Sequence, residues 1–164
     1  PENNKNFIFK KKYLGIKNND AFVSINNWIK EYYPKHCTNE FILQMDIEGS
    51  EYEVLLDIEE NLLKKFRILV IEFHNVQSLV LDESVNEVES LLKKLNQTHL
   101  CVHAHPNNSS SLFNICGFEV PKTLELTFYR KDCNEGTKRK FIPHEKDIQN
   151  DPMQEQIYLG IPWI

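Results

Sequence analysis

The stretch that decides the predicted fold is residues 42–56, ILQMDIEGSEYEVLL. Together with Phe41 it begins as a nearly unbroken apolar run, which is typical of a parallel β-strand covered on both faces. The run stops at Asp46, and Glu48 follows two residues later. In an extended chain this spacing places both carboxylates on the same side. The strand therefore ends in a pair of acidic groups.

A turn and a helix are predicted directly after the acidic pair. Gly49 permits a tight turn, and Ser50 and Glu53 have the Ser-x-x-Glu spacing of a helix capping box. Apolar residues then recur at helical spacing, which predicts one helix over about residues 50–65. Ligands of open α/β sheets bind just outside the carboxyl ends of the strands, so Asp46 and Glu48 form the best candidate site. The alternative is that they stabilise the positive N-terminus of the helix.

Length and composition indicate a globular protein. The chain has 164 residues, 41% of them hydrophobic and 26% charged, and its net charge of −5 argues against nucleic acid as a partner. It contains no apolar run long enough to span a membrane and no secretory signal pattern. The four cysteines are scattered, without a Cys-x-x-Cys pair. We therefore expect a cytoplasmic protein with reduced thiols.

The chain is expected to form a single domain over residues 1–164. Within it, residues 131–164 are polar and irregular, and we predict that they form a C-terminal extension packing on the rest. The first residue is Pro1 rather than methionine, so we expect the domain to be part of a longer protein. Residues 7–9 could form a short edge strand, and Ser24 is predicted to cap a short helix.

Three further strands and one helix follow the first strand–helix pair. Residues 67–74, RILVIEFH, have a continuous apolar centre, which again indicates a buried parallel strand. A helix is predicted over 84–96 and a strand over 99–105. Residues 123–130, TLELTFYR, alternate between apolar and polar, which predicts an antiparallel strand or one near an edge. The sequence therefore predicts an α/β fold with a mostly parallel sheet and a reversed hairpin strand at one side.

Polar pairs also end the next two strands of the predicted parallel sheet. They are Glu72 with His74, and His103 with His105. If the strands are parallel neighbours, right-handed crossovers bring all three pairs to one rim of the sheet. Asn107 follows the third pair and suits either a turn or the recognition of a hydroxyl group. Repetition at three equivalent positions indicates a site more strongly than any single pair does.

Four segments in this order resemble the FkbM-type family of S-adenosylmethionine-dependent methyltransferases: MDIEGSEYEVL, VIEFH, VHAHPNN and LELTFYRKD. The resemblance covers about residues 27–132. It implies a class I, Rossmann-like sheet that ends in an antiparallel hairpin, S-adenosylmethionine as cofactor, and a hydroxyl acceptor on a sugar, a polysaccharide or a natural product. It also implies that Asp46, Glu48 and Glu51 belong to an acidic motif beside the methyl-transfer centre.

The sequence departs from this family's pattern at the cofactor loop. Class I methyltransferases hold the cofactor on a Gly-rich turn, whereas the only glycines here are at positions 15, 49, 117, 136 and 160. The chain therefore resembles the C-terminal half of such an enzyme, and no cofactor-binding residue is assigned in it. The edge of the strand over 41–45 would then be open, and we expect the N-terminal half of a longer protein or an oligomer to cover it.

The candidate residues form two groups, a catalytic group and a group of substrate contacts. We predict Asp46 and Glu48 as groups that orient the acceptor or an ion, and His74 as the catalytic base. The same three residues are a candidate divalent-metal set, because hard and borderline cations take oxygen and nitrogen ligands. Substrate contacts are predicted for Glu72, His103, His105 and Asn107. For Glu72 and His74 the alternative is a buried ion pair at a strand end.

Two other functions stay open on the sequence alone. A non-catalytic, methyltransferase-like remnant or binding module would explain why the Gly-rich turn is missing. A divalent-metal-dependent hydrolase would use the same acidic pair together with His74, His103 and His105.

Overall fold

A four-stranded sheet carries the candidate site. The computed structural model describes residues 7–33, 40–80, 82–115, 117–133, 136 and 144–159. In chain order the strands and helices are β1 (Tyr13–Leu14), β2 (Phe22–Val23), α1 (Ile25–Tyr32), β3 (Phe41–Met45), α2 (Glu51–Asp57), α3 (Glu60–Leu63), β4 (Phe66–Phe73), α4 (Asp82–Thr98), β5 (His99–Pro106), β6 (Leu112–Ile115), β7 (Phe118–Pro121) and β8 (Leu124–Arg130). Short 3₁₀ turns follow β4 at Val76–Val80 and β8 at Lys131–Cys133.

The main sheet has the strand order β3-β4-β8-β5. β3 and β4 are parallel, and β8 runs antiparallel to both of its neighbours, β4 and β5. Three of the four strands therefore point in the same direction, which confirms an α/β fold with a mostly parallel sheet. β4 lies at the centre of the hydrophobic core, where Leu69 and Ile71 are completely buried, as its continuous apolar run predicts.

The place of β8 in the sheet differs from the prediction. Its antiparallel direction is confirmed, but the strand lies between β4 and β5 rather than near an edge. Leu124 and Phe128 are buried in the core. The opposite face is only partly exposed, because other parts of the chain cover it; Glu125, for example, accepts a 2.9 Å hydrogen bond from the side-chain amide of Asn150. The alternation in the sequence therefore reflects the different burial of the two faces of β8, and it does not indicate that β8 is an edge strand.

The prediction that β3 is buried on both faces is wrong. Within the described residues the strand pairs with β4 alone. The side chain of Ile42 is 67% exposed, and Gln44 is exposed as well. An apolar groove of about 310 Å³ lies beside it, with Trp28 and Ile29 of α1 in its lining. In the part of the chain that the structure describes, β3 is an edge strand with an uncovered face.

The single helix predicted over residues 50–65 is two helices. Ile58 has φ −59° and ψ 126°, an extended conformation that ends α2. The side chain of Asn26 stabilises the break, since it accepts a hydrogen bond from the Glu59 N–H and donates one to the Asp57 carbonyl, both at 2.9 Å. A partner more than 30 positions away in the sequence therefore decides where this helix ends.

The other two predicted helices are present. α1 begins after Ser24, whose hydroxyl accepts a 3.3 Å hydrogen bond from the Asn27 N–H, as predicted for a capping residue. α4 is somewhat longer than the predicted range and buries Leu91 and Leu95. None of the helices in the described residues is long and apolar enough to cross a membrane.

The N-terminal edge strand predicted over residues 7–9 is wrong. This segment is irregular, and the side chains of Phe7 and Phe9 are exposed. The two-residue strands β1 and β2 pair with each other in parallel instead. Cys101 and Cys133 carry free thiols, as predicted, while Cys37 and Cys116 lie outside the described residues.

The described C-terminal segment, residues 144–159, contacts the end of β5. The buried side chain of Asn108 donates a 2.7 Å hydrogen bond to the Asp151 carbonyl and accepts one of 2.9 Å from the Asp151 N–H. Further along, Leu159 is buried in the hydrophobic core. The predicted domain boundaries stay a prediction.

Candidate active site

Adjacent parallel strands bring the first two polar pairs together. Asp46 and Glu48 follow β3, and His74 follows β4, its parallel neighbour. The Nε2 atom of His74 lies 3.4 Å from a carboxylate oxygen of Glu48 and 3.9 Å from one of Asp46. The rim of the sheet therefore assembles the three residues predicted as catalytic, as parallel neighbours require. Their catalytic roles stay a prediction.

The turn after β3 uses two consecutive residues with positive φ. Glu48 has φ 58° and Gly49 has φ 112°. Asn75, which follows His74, is also left-handed at φ 54°, and its side-chain nitrogen lies 3.3 Å from the position that a Cβ atom on Gly49 would occupy. Left-handed non-glycine residues cluster at functional sites, where the surrounding structure holds them in place. Here they turn the chain sharply from strand to helix at the site itself.

Glu51 has a different role from the one that its position at the helix start suggests. Its side chain is completely buried. One carboxylate oxygen accepts hydrogen bonds from the N–H groups of Ile47 and Gly49 and lies 3.1 Å from Nδ1 of His74. Ser50 makes no capping hydrogen bond through its side chain, so the predicted capping box is wrong. Glu51 joins the turn after β3 to the histidine after β4.

Tyr52 makes a second connection between α2 and the end of β4. Its hydroxyl donates a 3.1 Å hydrogen bond to the backbone carbonyl of His74. Its ring packs on Phe73 with a centroid distance of 5.3 Å. Burial, and after it the charge of Glu51, raises the pKa of the Tyr52 phenol, so that the hydroxyl keeps its proton as a donor. Sequence periodicity assigns Tyr52 only a half-buried packing position, and the hydrogen bond is visible only in the folded chain.

Glu72 and Asn107 form the part of the site nearest to β5. The Asn107 side chain donates a 2.8 Å hydrogen bond to the carboxylate of Glu72. Burial raises the pKa of the Glu72 carboxyl above its ordinary value, the hydrogen bond from Asn107 lowers it, and the nearby charge of Asp46 raises it. Two of the four predicted substrate contacts, Glu72 and Asn107, therefore touch each other.

Asp46, Glu72 and His74 are close enough to share a ligand or an ion. Each offers one oxygen or nitrogen atom, and these atoms lie within 4.8 Å of one another. Within the residues that the structure describes, no other group of three or more histidine, cysteine, aspartate or glutamate side chains meets this condition. The candidate set differs from the predicted one, because Glu72 takes the place of Glu48. Glu72 lies on β4 two residues before His74, and the Glu48 side chain is 85% exposed.

His103 and His105 do not join this group. Nε2 of His103 lies 3.0 Å from the carboxylate of Asp147, in the C-terminal segment. Nδ1 of His105 lies 3.5 Å from the carboxylate of Glu125, on β8. β5 points in the same direction as β3 and β4, but the expectation that the three strands are direct neighbours is wrong, because β8 lies between β4 and β5. The metal set that extends to these two histidines is not assembled.

Comparison with models of protein families identifies the family of this chain. Residues 23–120 match the model of the methyltransferase FkbM domain. Because the match covers more than half of the 164-residue chain, the chain belongs to the FkbM methyltransferase family, which confirms the resemblance seen in the sequence. The matched region includes Asp46, Glu72, His74 and Asn107. Comparisons with curated proteins and with solved structures give no match.

Proposed function

We propose that the chain transfers a methyl group to a hydroxyl oxygen of a small-molecule or carbohydrate acceptor. Family membership supports the methyl transfer. The observation that carries the choice of a hydroxyl is the position of His74, whose Nε2 faces the carboxylates of Asp46 and Glu48 at the carboxyl rim of the sheet. A hydroxyl group of high pKa needs a proton acceptor when it is methylated, and histidine accepts protons near neutral pH.

Each residue of the site is assigned one step on the acceptor side of the reaction. The carboxylates of Asp46 and Glu48 accept a hydrogen bond from the acceptor hydroxyl and orient its oxygen. As that oxygen is methylated it loses its proton, and Nε2 of His74 takes it up. The resulting imidazolium lies among carboxylates, which stabilise its positive charge. Holding the hydroxyl in one orientation supplies a large part of the rate.

The polar groups beyond His74 favour an acceptor with several hydroxyl groups. Glu72 and Asn107 offer a carboxylate and an amide side by side, a pair that can both accept hydrogen bonds from hydroxyl groups and donate to them. His103 and His105, further along the rim, are proposed as outer contacts for a larger acceptor. A sugar, a polysaccharide or a polyhydroxylated natural product has this chemistry.

S-adenosylmethionine is the methyl donor that family membership implies. This sequence does not contain the Gly-rich turn that usually binds this cofactor, because its five glycines form no Gly-x-Gly arrangement. The residues named above are therefore assigned to the acceptor alone. A class I, Rossmann-like architecture is part of the proposal, and it is supported by strands that point in one direction and an antiparallel strand inserted among them.

Divalent-metal chemistry is a second candidate. Asp46, Glu72 and His74 present two oxygen ligands and one nitrogen ligand within 4.8 Å of one another, which suits a hard or borderline cation. Such an ion could orient the acceptor oxygen in methyl transfer, or it could activate water for hydrolysis. Elemental analysis of the purified protein decides whether an ion binds in stoichiometric amount.

A binding module is the remaining alternative, and it is supported by β3, which pairs with β4 alone within the described residues. The exposed Ile42 and the apolar groove beside it offer a surface on which a second chain could add a strand or pack. In this case the protein would bind a partner without turnover.

Ligand binding and turnover separate these functions. The protein is titrated calorimetrically with S-adenosylhomocysteine, with and without magnesium, and then incubated with labelled S-adenosylmethionine and a panel of mono- and disaccharides. Binding of S-adenosylhomocysteine together with label on a hydroxyl oxygen supports the proposal. If there is neither binding nor transfer, this chain is not a methyltransferase by itself, and the binding module is favoured.

Substitution of Asp46 tests the site. We expect Asp46→Asn to lower methyl transfer about 100-fold or more, because the hydroxyl loses its orientation. The side chain is 51% exposed and its nearest ionic contact is His74 at 3.9 Å, so the stability loss should stay below about 1 kcal/mol. Glu53→Gln, an exposed carboxylate-to-amide change in the first turn of α2, is the matched control. A large loss of stability with unchanged activity per folded molecule would show that Asp46 is structural.

A further inference from the structure

We infer that Glu51 is a positioning residue that holds the neutral His74 ring in the tautomer protonated at Nδ1 and leaves the Nε2 lone pair for the acceptor hydroxyl. The two atoms that carry the inference are Oε1 of Glu51 and Nδ1 of His74, 3.1 Å apart. The inference rests on the proposed function for its consequence, proton transfer to Nε2. The tautomer itself is a property of the resting protein.

The surroundings of Glu51 make its carboxylate an acceptor. Oε1 faces the backbone N–H groups of Ile47 and Gly49, and Oε2 faces the N–H of Gly49, each at 3.1 Å. Backbone N–H groups can only donate. Both oxygens of Glu51 therefore act as acceptors in these contacts.

This acceptor fixes which ring nitrogen of His74 carries the proton. Oε1 of Glu51 already accepts from two backbone N–H groups, so Nδ1 must be the donor in its contact with this oxygen. In a neutral imidazole one nitrogen is protonated and the other is an acceptor, so Nε2 keeps its lone pair. A histidine whose Nδ1–H binds a buried carboxylate is also the arrangement that suits a base acting through Nε2.

Exposure shows why Glu51, and not the other acidic groups, determines the ring position. Glu51 is completely buried, whereas the side chains of Asp46 and Glu48 are 51% and 85% exposed. Exposed ion pairs hold a geometry weakly because water competes for both partners. The Tyr52 hydroxyl adds a second restraint, since it binds the carbonyl of His74. The buried side of the ring is thus anchored, and its Nε2 edge faces the rim where an acceptor would bind.

Rotation of the ring by 180° would remove this arrangement at a cost. A ring carbon would then face Oε1 of Glu51, and the buried carboxylate would lose one of its hydrogen-bond donors. A second ring carbon, Cε1, would take the place of Nε2 opposite the exposed carboxylates, which water can still reach. The observed orientation keeps the hydrogen bond to the carboxylate of Glu51, which is buried away from water.

Nuclear magnetic resonance measures the tautomer directly. Protein labelled with ¹⁵N-histidine is followed by long-range ¹H–¹⁵N correlation at a pH where the ring is neutral, and the His74 signals are identified by their loss in His74→Gln. We expect the wild-type ring to be protonated at Nδ1. In Glu51→Gln the same ring should become a mixture or favour protonation at Nε2, and the Glu53→Gln control should match the wild type.

The wild-type spectrum decides the inference even if Glu51→Gln does not fold. His74 protonated at Nε2 in the wild-type protein would overturn it. This measurement needs no turnover. The tautomer can therefore be determined even if the proposed methyl transfer is not observed. Once a hydroxyl acceptor is found, Glu51→Gln should lower kcat about 100-fold with little change in KM, and it should alter the pH–rate profile.

Discussion

Replacement of Gly49 by alanine tests whether the turn after β3 needs a glycine. The φ angle of Gly49 is 112°, beyond the left-handed region that other residues visit. Holding a residue with a side chain in such a region costs about 1–3 kcal/mol. Alanine also reduces the entropy of the unfolded chain, which offsets about 0.4–1 kcal/mol. We therefore expect Gly49→Ala to lower the free energy of unfolding by about 1–2 kcal/mol.

Contact with Asn75 adds only a small steric cost to this change. A Cβ atom on residue 49 would lie 3.3 Å from Nδ2 of Asn75, the end of a side chain that can move by a few tenths of an ångström. For a protein of this size, the expected loss corresponds to a fall in Tm of about 2–8 °C. Urea denaturation followed by circular dichroism gives the free energy, and differential scanning calorimetry gives the Tm.

Gly117→Ala is the control for the effect on the site. Gly117 also has a positive φ, 89°, but a Cβ atom there would meet nothing within 4 Å. Both variants should lose stability through backbone strain. Only Gly49→Ala should disturb the His74 resonances, because the N–H of Gly49 donates to Glu51. A Gly49→Ala protein within about 0.5 kcal/mol of the wild type would refute the reasoning on backbone strain.

Two further predictions concern polar groups away from the site, the partly buried Lys94 and the buried His99. The Lys94 side chain donates hydrogen bonds to two backbone carbonyls where α2 ends. Lys94→Met keeps the apolar part of the side chain but removes both hydrogen bonds. Urea denaturation should therefore show a free energy of unfolding lower by about 1–3 kcal/mol. Lys93→Met removes only an exposed i,i+4 ion pair and should change the free energy of unfolding little. Equal losses of stability in the two variants would contradict the prediction for Lys94. The pKa of His99 is lowered by burial, so the unfolded chain binds its proton more readily and stability falls as the pH drops below about 6.5. His99→Gln, which can still donate to the carbonyl of Phe66, should lose this part of the pH dependence, and identical slopes of unfolding free energy against pH would count against it.

The candidate site could be located from the sequence because its signals are local. Apolar runs fix where β3 and β4 lie, and a polar residue after such a run marks a strand end. One crossover between two parallel strands is then enough to place Asp46 and Glu48 beside His74. The short motif after β3 contains both the acidic pair and the glycine that its turn requires.

The same local signals fail where the partner comes from a distant part of the chain. Alternation along β8 predicts that one face is more buried than the other, but it does not predict which strands pair with β8. The separation of His103 and His105 from the site is therefore not visible in the sequence. The break between α2 and α3 depends on Asn26, and residues at this break have no strong helix-breaking signal of their own. Exposure of β3 likewise depends on what packs beside it.

Sequence alone therefore determines the family, the α/β pattern and the position of the acidic turn in this protein. Tertiary structure decides how the groups at that turn are used. Glu51 could start a helix as well as any other glutamate, and only a ring that lies 23 residues further along the chain gives it a different role. A buried carboxylate must find hydrogen-bond donors inside the protein. Which donors are within reach is set by the folded chain, not by the spacing of residues along it.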